Sequence, residues 1–250
     1  MKTLLFTCAL PVELKIVKEK IKSLDLKGVK LDFLLSGVGN YNVIYNLKDY
    51  INKKGNPDFV VNFGVCGKSD ETIKDDFFQV YRIKNSSNKR ESLVPIYFQA
   101  LDLRSILSSE EVVVEGSSMF GEIYVDMESY GVEYICNKEQ IPCVIIKKPF
   151  DVVGEKSKSV GLVELRQSLE NFDYENLINY IVEWLSKNTK NDILEKIDYF
   201  KNYFKFTFSE TEIFKKNFNK FIAFTLDFED FFEKNKTLNK KEFLEKMTNI

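Results

Sequence analysis

The chain has 250 residues, 44% of them hydrophobic and 30% charged, with a formal net charge of −2. That is enough apolar material for one sizeable domain, or one domain with an appendage, and too much for an intrinsically disordered chain. The pI of about 5.6 gives no basic footprint for nucleic acid, and no apolar run approaches the ~18 residues of a membrane helix. There is no histidine, which excludes a Ser-His-Asp triad, a Cys-His pair and any imidazole metal site. Acid–base chemistry is left to Asp, Glu, Lys or Tyr.

Elements follow in chain order. Thr3 to Phe6 reads as a strand; Pro11 and Glu13 cut its apolar stretch too short for a signal peptide, which implies a cytoplasmic protein. Pro11 to Ile21 reads as a helix, with Leu14, Val17 and Ile21 on one face. Leu31, Phe33 and Leu35 alternate as a strand, and Val43, Ile44, Leu47 and Ile51 form a helical stripe. Phe59 to Val61 is a continuous apolar run, the mark of a strand covered on both faces. Phe77 to Ile83 alternates again, Asn85 to Glu91 is a polar surface loop, and Val112 to Val114 reads as a strand. Met127 to Cys136 reads as a helix and Cys143 to Ile146 as a strand. The alternation predicts an α/β fold around a central buried sheet. Cys8, Cys66, Cys136 and Cys143 form no CxxC pair, so buried free thiols are expected rather than disulfides or zinc ligands.

The composition shifts near Lys187. Residues 189–250 carry 12 of the 22 phenylalanines, with 12 lysines against 11 acidic residues. Ile193, Leu194, Ile197, Phe200 and Phe204 recur at helical spacing, and Ser209 with Glu212 has the form of a capping box before a helix from Ile213 to Ile222. This divides the chain into an α/β domain over 1–187 and a Phe-rich helical extension over 188–250, whose aromatic stripe is expected to pack as core, with the extension folding as a small helical unit on the first domain.

Glycines and carboxylates gather at the strand ends, where open α/β sheets bind ligands. They are Glu13, the segment Ser36-Gly37-Val38-Gly39-Asn40, the segment Gly64-Val65-Cys66-Gly67, Asp126-Met127-Glu128, and Asp151. Taken singly, the glycines serve as turns and the carboxylates as helix N-terminal charges. Taken together with LLSGVGNYNV (34–43), NPDFVVNFGVCG (56–67), VDMESYGVEYIC (125–136) and IPCVIIKKPFD (141–151), they resemble the nucleoside phosphorylase and nucleosidase superfamily. The branch most similar is 5′-methylthioadenosine/S-adenosylhomocysteine nucleosidase, over about residues 1–187.

The resemblance implies a nucleoside phosphorylase-like central mixed sheet flanked by helices, and hydrolysis of a purine N-glycosidic bond in a nucleoside or nucleoside-derived metabolite. It implies no metal or organic cofactor, a small-molecule nucleoside as partner, no nucleic acid or membrane, and a homodimer. Asp151 would protonate the leaving purine and Glu13 would activate water. Glu128 would accept the ribose hydroxyls, with Met127 on the sugar; Val65, Cys66, Gly67, Met119 and Phe120 would complete the substrate site. Asn62 stands where the phosphorylases of the superfamily place an arginine, which favours water over phosphate as nucleophile. The alternatives are a purine nucleoside phosphorylase, and a non-catalytic relative that binds a nucleoside or a partner. Departures from the pattern are Phe150, Lys147 in place of arginine, Val65, Ser117 in place of aspartate, and a short segment from Glu115 to Phe120.

Overall fold

The computed structural model describes residues 1–22, 24, 26, 28–74, 76–113, 119–154, 161–187, 190–223 and 228–248. Strands β1 (Lys2–Cys8) and β2 (Val29–Leu35) flank helix α1 (Pro11–Ile21) in the chain. Helix α2 (Asn40–Lys54) then leads to β3 (Phe59–Lys68), β4 (Phe78–Asn85), β5 (Glu91–Leu93), β6 (Leu103–Ser108) and β7 (Tyr124–Asp126). Helix α3 (Ser129–Lys138), β8 (Cys143–Val152), α4 (Leu162–Glu170) and α5 (Tyr174–Lys187) follow. The last four helices are α6 (Lys190–Phe204), α7 (Phe208–Ala223), α8 (Phe228–Asn235) and α9 (Lys240–Thr248).

The sheet is mixed, as expected. Its order is β2-β1-β3-β7-β6-β4-β5, and β8 pairs with both β3 and β4. That double pairing closes β3, β7, β6, β4 and β8 into a ring, so the centre of the sheet is a small barrel with β1 and β2 running off one side. Apolar strands fit this position because both of their faces are covered. Phe6, Val61, Phe63 and Ile146 pack under α1, α4 and α5. Leu5, Val60, Cys66 and Ile145 pack against α2 and α3 on the other face. All four cysteines are buried and free.

Two expectations change. Val112 and Val113 are not strand, and Val112 is 57% exposed; Val114 lies outside the described residues. The strand of this region is instead β6, whose Leu-Arg-Ser-Ile-Leu-Ser sequence carries little β-branched signal. The capping box of α7 is Thr207 with Glu210, not Ser209 with Glu212. The Thr207 N–H donates to Glu210 Oε2 at 2.7 Å, and the Glu210 N–H donates to Thr207 Oγ1 at 3.3 Å. Both pairs fit the motif, but the helix starts one turn-fraction earlier, at Phe208, so Ser209 is already inside it.

Most of the described phenylalanines of 190–248 are buried against one another, although Phe208 is 82% exposed. Phe200, Phe206, Phe214, Phe218, Phe228 and Phe243 form one cluster with Ile197 and Met247. Phe243 is fully buried and stacks on Phe204 at 4.3 Å between centroids.

Candidate active site

The carboxyl ends of β1, β3 and β8 meet the starts of α1, α2 and α3 at one end of the sheet. Glu13 sits in the first turn of α1, buried, and both of its oxygens accept backbone N–H bonds. Oε2 takes Leu10 N–H at 2.9 Å, and Oε1 takes Val65 N–H at 3.0 Å. One oxygen therefore caps α1 while the other ties the helix to β3. The second contact requires Gly64: a Cβ there would lie 2.7 Å from Glu13 Oε1. Burial raises the Glu13 pKa, against the opposing pull of Lys147 and these N–H donors.

Lys147 is the centre of the site. It is buried on β8, and its Nζ lies 2.8 Å from Asp126 and 3.6 Å from Glu128. Burial works against its charge, but the carboxylates of Asp126 and Glu128 outweigh burial and hold the ammonium protonated. The same Asp126 oxygen, Oδ2, also accepts the backbone N–H and hydroxyl of Ser129, the first residue of α3, the hydroxyl at 2.6 Å. Glu128 is buried immediately before α3. Its Oε1 accepts Gly39 N–H at 3.2 Å, and only a glycine easily holds the φ of +98° that Gly39 adopts. The Glu128 pKa is raised to about 7: burial pushes it up, Lys147 opposes the rise, and Asp126 adds to it.

Asp151 is half-buried near the end of β8. Gly67 of β3 is in register with Asp151 on one side and with Val125 of β7 on the other. A side chain at Gly67 would press Val125 Cγ1 at 3.2 Å. Burial raises the Asp151 pKa. The charges of Lys147, Asp126, Asp151 and Glu128 all act on the buried Cys66 thiol, whose pKa burial drives well up. Glu13 in turn acts on Glu128. Glu13 and Glu128 thus both act on Lys147, and Asp151 is joined to them through Gly67 and Cys66.

The other expected site residues divide. Val65 contributes its backbone N–H, Cys66 is buried beside the charges, and Met127 is half-buried between Asp126 and Glu128. Met119 is buried with Leu107 and Val125. Phe120 is 43% exposed, with Lys89 Nζ 3.0 Å from its ring centre. Phe150 packs with the core under α4 and lines a cavity of about 400 Å³ with Phe77 and Pro149. The short segment is described only at Met119 and Phe120; Ser117 lies outside the described residues.

Asn40 and Asn62 complete the frame. Asn40 Oδ1 accepts Ser108 Oγ at 3.1 Å and Gly131 N–H at 2.8 Å, which joins α2, β6 and α3. Asn62 donates to Thr7 Oγ1 at 3.1 Å, across from β3 to β1. No ligand set of three or more metal-binding side chains occurs among the described residues.

No family model and no curated protein matches the chain. Solved structures do. The methylthioadenosine/S-adenosylhomocysteine nucleosidase of Campylobacter jejuni superposes with a TM-score of 0.61 at 15% identity, over 75% of this chain and 100% of its own. The fold is that of the nucleosidases. A futalosine hydrolase mutant of Helicobacter pylori gives 0.61 at 14% identity, over 73% of this chain and 100% of its own. A Chlamydia trachomatis nucleosidase bound to MTA gives 0.58 at 20% identity, over 72% and 100%. The nucleosidase fold is thus matched over the whole of these neighbours, and about a quarter of the present chain lies outside the match.

Proposed function

We propose that the protein hydrolyses the N-glycosidic bond of a purine nucleoside or nucleoside-derived metabolite. The observation that carries this reading is the placing of Glu13 and Glu128 about one buried lysine, with Asp151 further along the same strand beside Gly67, each carboxyl held above its ordinary pKa by burial. Scission passes through an oxocarbenium-like state that needs a proton on the leaving base, negative charge near the sugar and a base for water. Asp151, half-buried and raised, would protonate the purine. Glu13 would take the proton from water as its oxygen bonds to the anomeric carbon. Glu128 would accept the ribose hydroxyls while Lys147 holds its second oxygen.

Water suits this site better than phosphate. Asn62 offers no guanidinium fork, and its amide is already turned to Thr7. The Val65 departure is mild, because Val65 serves Glu13 through its backbone. Four buried free thiols suit a reducing cytoplasm. Among the described residues, no helix is long and apolar enough to cross a membrane. We also propose a homodimer, for which Tyr41 and Tyr45 on α2, 74% and 72% exposed, offer an aromatic face.

The test is a panel of purine nucleosides, 5′-methylthioadenosine and futalosine-type substrates included, followed for free base with and without phosphate. Release without phosphate is expected, and Asp151→Asn should lower it by ~10²–10⁴-fold. Release that depends on phosphate would make the protein a phosphorylase. No release alongside measurable nucleoside binding would make it a binding protein.

A further inference from the structure

The outer flank of α1 carries a second feature, separate from the carboxylates and independent of the hydrolase reading. β2 is the last strand of the sheet, and α1 lies over β1 and the near side of β2. Beyond α1 the face of β2 is open. An apolar groove of about 760 Å³ runs there, floored by Leu14, Leu31, Phe33 and Leu35. Leu35 is 43% exposed.

One wall of this groove is basic. Lys15, Lys18 and Lys22 stand at i, i+3 and i+7 on α1 and line it along its length. Among the described residues no carboxylate pairs with any of the three; Lys18 instead rests over the Phe33 ring at 5.2 Å. Glu19, the acidic residue of the same wall, is already engaged by Arg166 at 2.7 Å. The groove therefore combines unpaired positive charge with apolar floor.

Its geometry favours a helix over an added strand. Lys2 N–H bonds Gly28 C=O at one end of the β1–β2 ladder, and Ser36 N–H bonds Cys8 C=O at the other. In a parallel ladder, main-chain groups alternate between the two neighbours, so Leu31, Phe33 and Leu35 turn theirs to the free edge. At the middle of that edge the Phe33 N–H is taken by the Asp32 carboxylate at 3.0 Å, and Asp32 is itself held by Lys54 and Tyr50. This blunts strand addition, the usual hazard of an open edge. We infer that the groove between α1 and β2 docks an acidic amphipathic helix of a partner protein. Its apolar face would cover Leu31, Phe33 and Leu35, and carboxylates spaced along one flank would meet Lys15, Lys18 and Lys22.

The test uses the full chain and a fluorescein-labelled helical peptide of about 14 residues, with leucines on one face and glutamates along both flanks, read by fluorescence anisotropy. Saturable binding is expected, weakening as salt rises. Lys15→Glu with Lys18→Glu should weaken it about tenfold or more, as should Leu35→Glu at its exposed position. Circular dichroism of each variant checks that the fold is kept. The same peptide with lysines for glutamates should not bind, and a proline-interrupted version of the acidic peptide should lose affinity.

Equal binding of the acidic and basic peptides would overturn the inference, and so would unchanged binding by the folded variants. Undiminished affinity of the proline-interrupted peptide would assign the groove to an extended segment instead. Sedimentation with phosphatidylserine vesicles that the lysine variants abolish would assign it to lipid. Self-association that Leu35→Glu disperses and the peptide cannot displace would assign it to a second copy.

Discussion

Lys147 Nζ lies closer to Asp126 than to Glu128, 2.8 Å against 3.6 Å, and all three side chains are buried. Asp126 is also fixed by Ser129, so it anchors the ammonium while Glu128 keeps the looser contact. Removing the ammonium leaves buried carboxylates without their counter-charge. Lys147→Met should cost about 3–5 kcal/mol at pH 8, the range for a broken buried pair.

The cost should shrink in acid. The folded pKa of Glu128 is raised, to about 7 from an ordinary 4.5. The folded state therefore binds this proton more tightly than the unfolded state. Stability from that group is full below about 4.5 and is lost as pH rises through about 7. Loss of Lys147 widens the gap. Urea unfolding at pH 5 and pH 8 should show the variant much closer to wild type at pH 5; an equal loss at both would refute the charge argument.

The same titration bears on turnover. Glu128 must be ionised to accept ribose hydroxyls, so kcat/KM should rise with pH along a limb centred near 7. Glu13, raised in the same direction, steepens it. Glu128→Gln should lower kcat/KM and change the shape of this limb. A limb unaltered in the variant would take Glu128 out of the reaction.

Gly64 is a steric test of Glu13. A Cβ at Gly64 would stand 2.7 Å from Glu13 Oε1 on a carboxylate locked by two N–H donors. Gly64→Ala should cost about 1–3 kcal/mol of stability through overpacking. It should also lower kcat by more than KM changes, because the base is displaced rather than the sugar. If kcat holds, Glu13 is a cap and not a base.

Much of this frame could be read from the sequence, and the failures have physical causes. β1, β3 and β8 are short apolar runs, as doubly covered strands must be, and Pro11 marks the start of α1. β6 was hidden because Arg104 and Ser105 interrupt its apolar pattern, while Val112 and Val113 carried β-branched residues without a partner strand. Glu13, Glu128 and Asp151 were legible as carboxylates at element ends. The bond between Lys147 and Asp126 was not. It depends on the double pairing of β8 with β3 and β4, which closes the barrel and is long-range in the chain. Phe120, which the resemblance assigns to the substrate site, has a partly exposed side chain with Lys89 over its ring, a contact no sequence pattern announces. Its φ of +51° turns the chain there.

The phenylalanines of the extension offer the last test. Burial of a Phe side chain is worth ~1.5–3 kcal/mol, which predicts that so many would seek cover, and most of the described ones find it in one another. Phe243 is fully buried and joins α9 to Phe204 of α6 and Phe231 of α8. We propose that 188–250 forms a unit with its own core; its stability should then depend on this ring and that of 1–187 should not. Phe243→Ala should cost the extension about 3–5 kcal/mol, the usual loss for a buried Phe. Hydrogen exchange should then speed in α6, α7 and α9, while amides of β1, β3 and β8 keep their protection. Nucleoside cleavage by the variant should match wild type. Faster exchange in β3 or β8, or a single unfolding transition lowered as a whole, would instead mean that the extension and the sheet share one cooperative core.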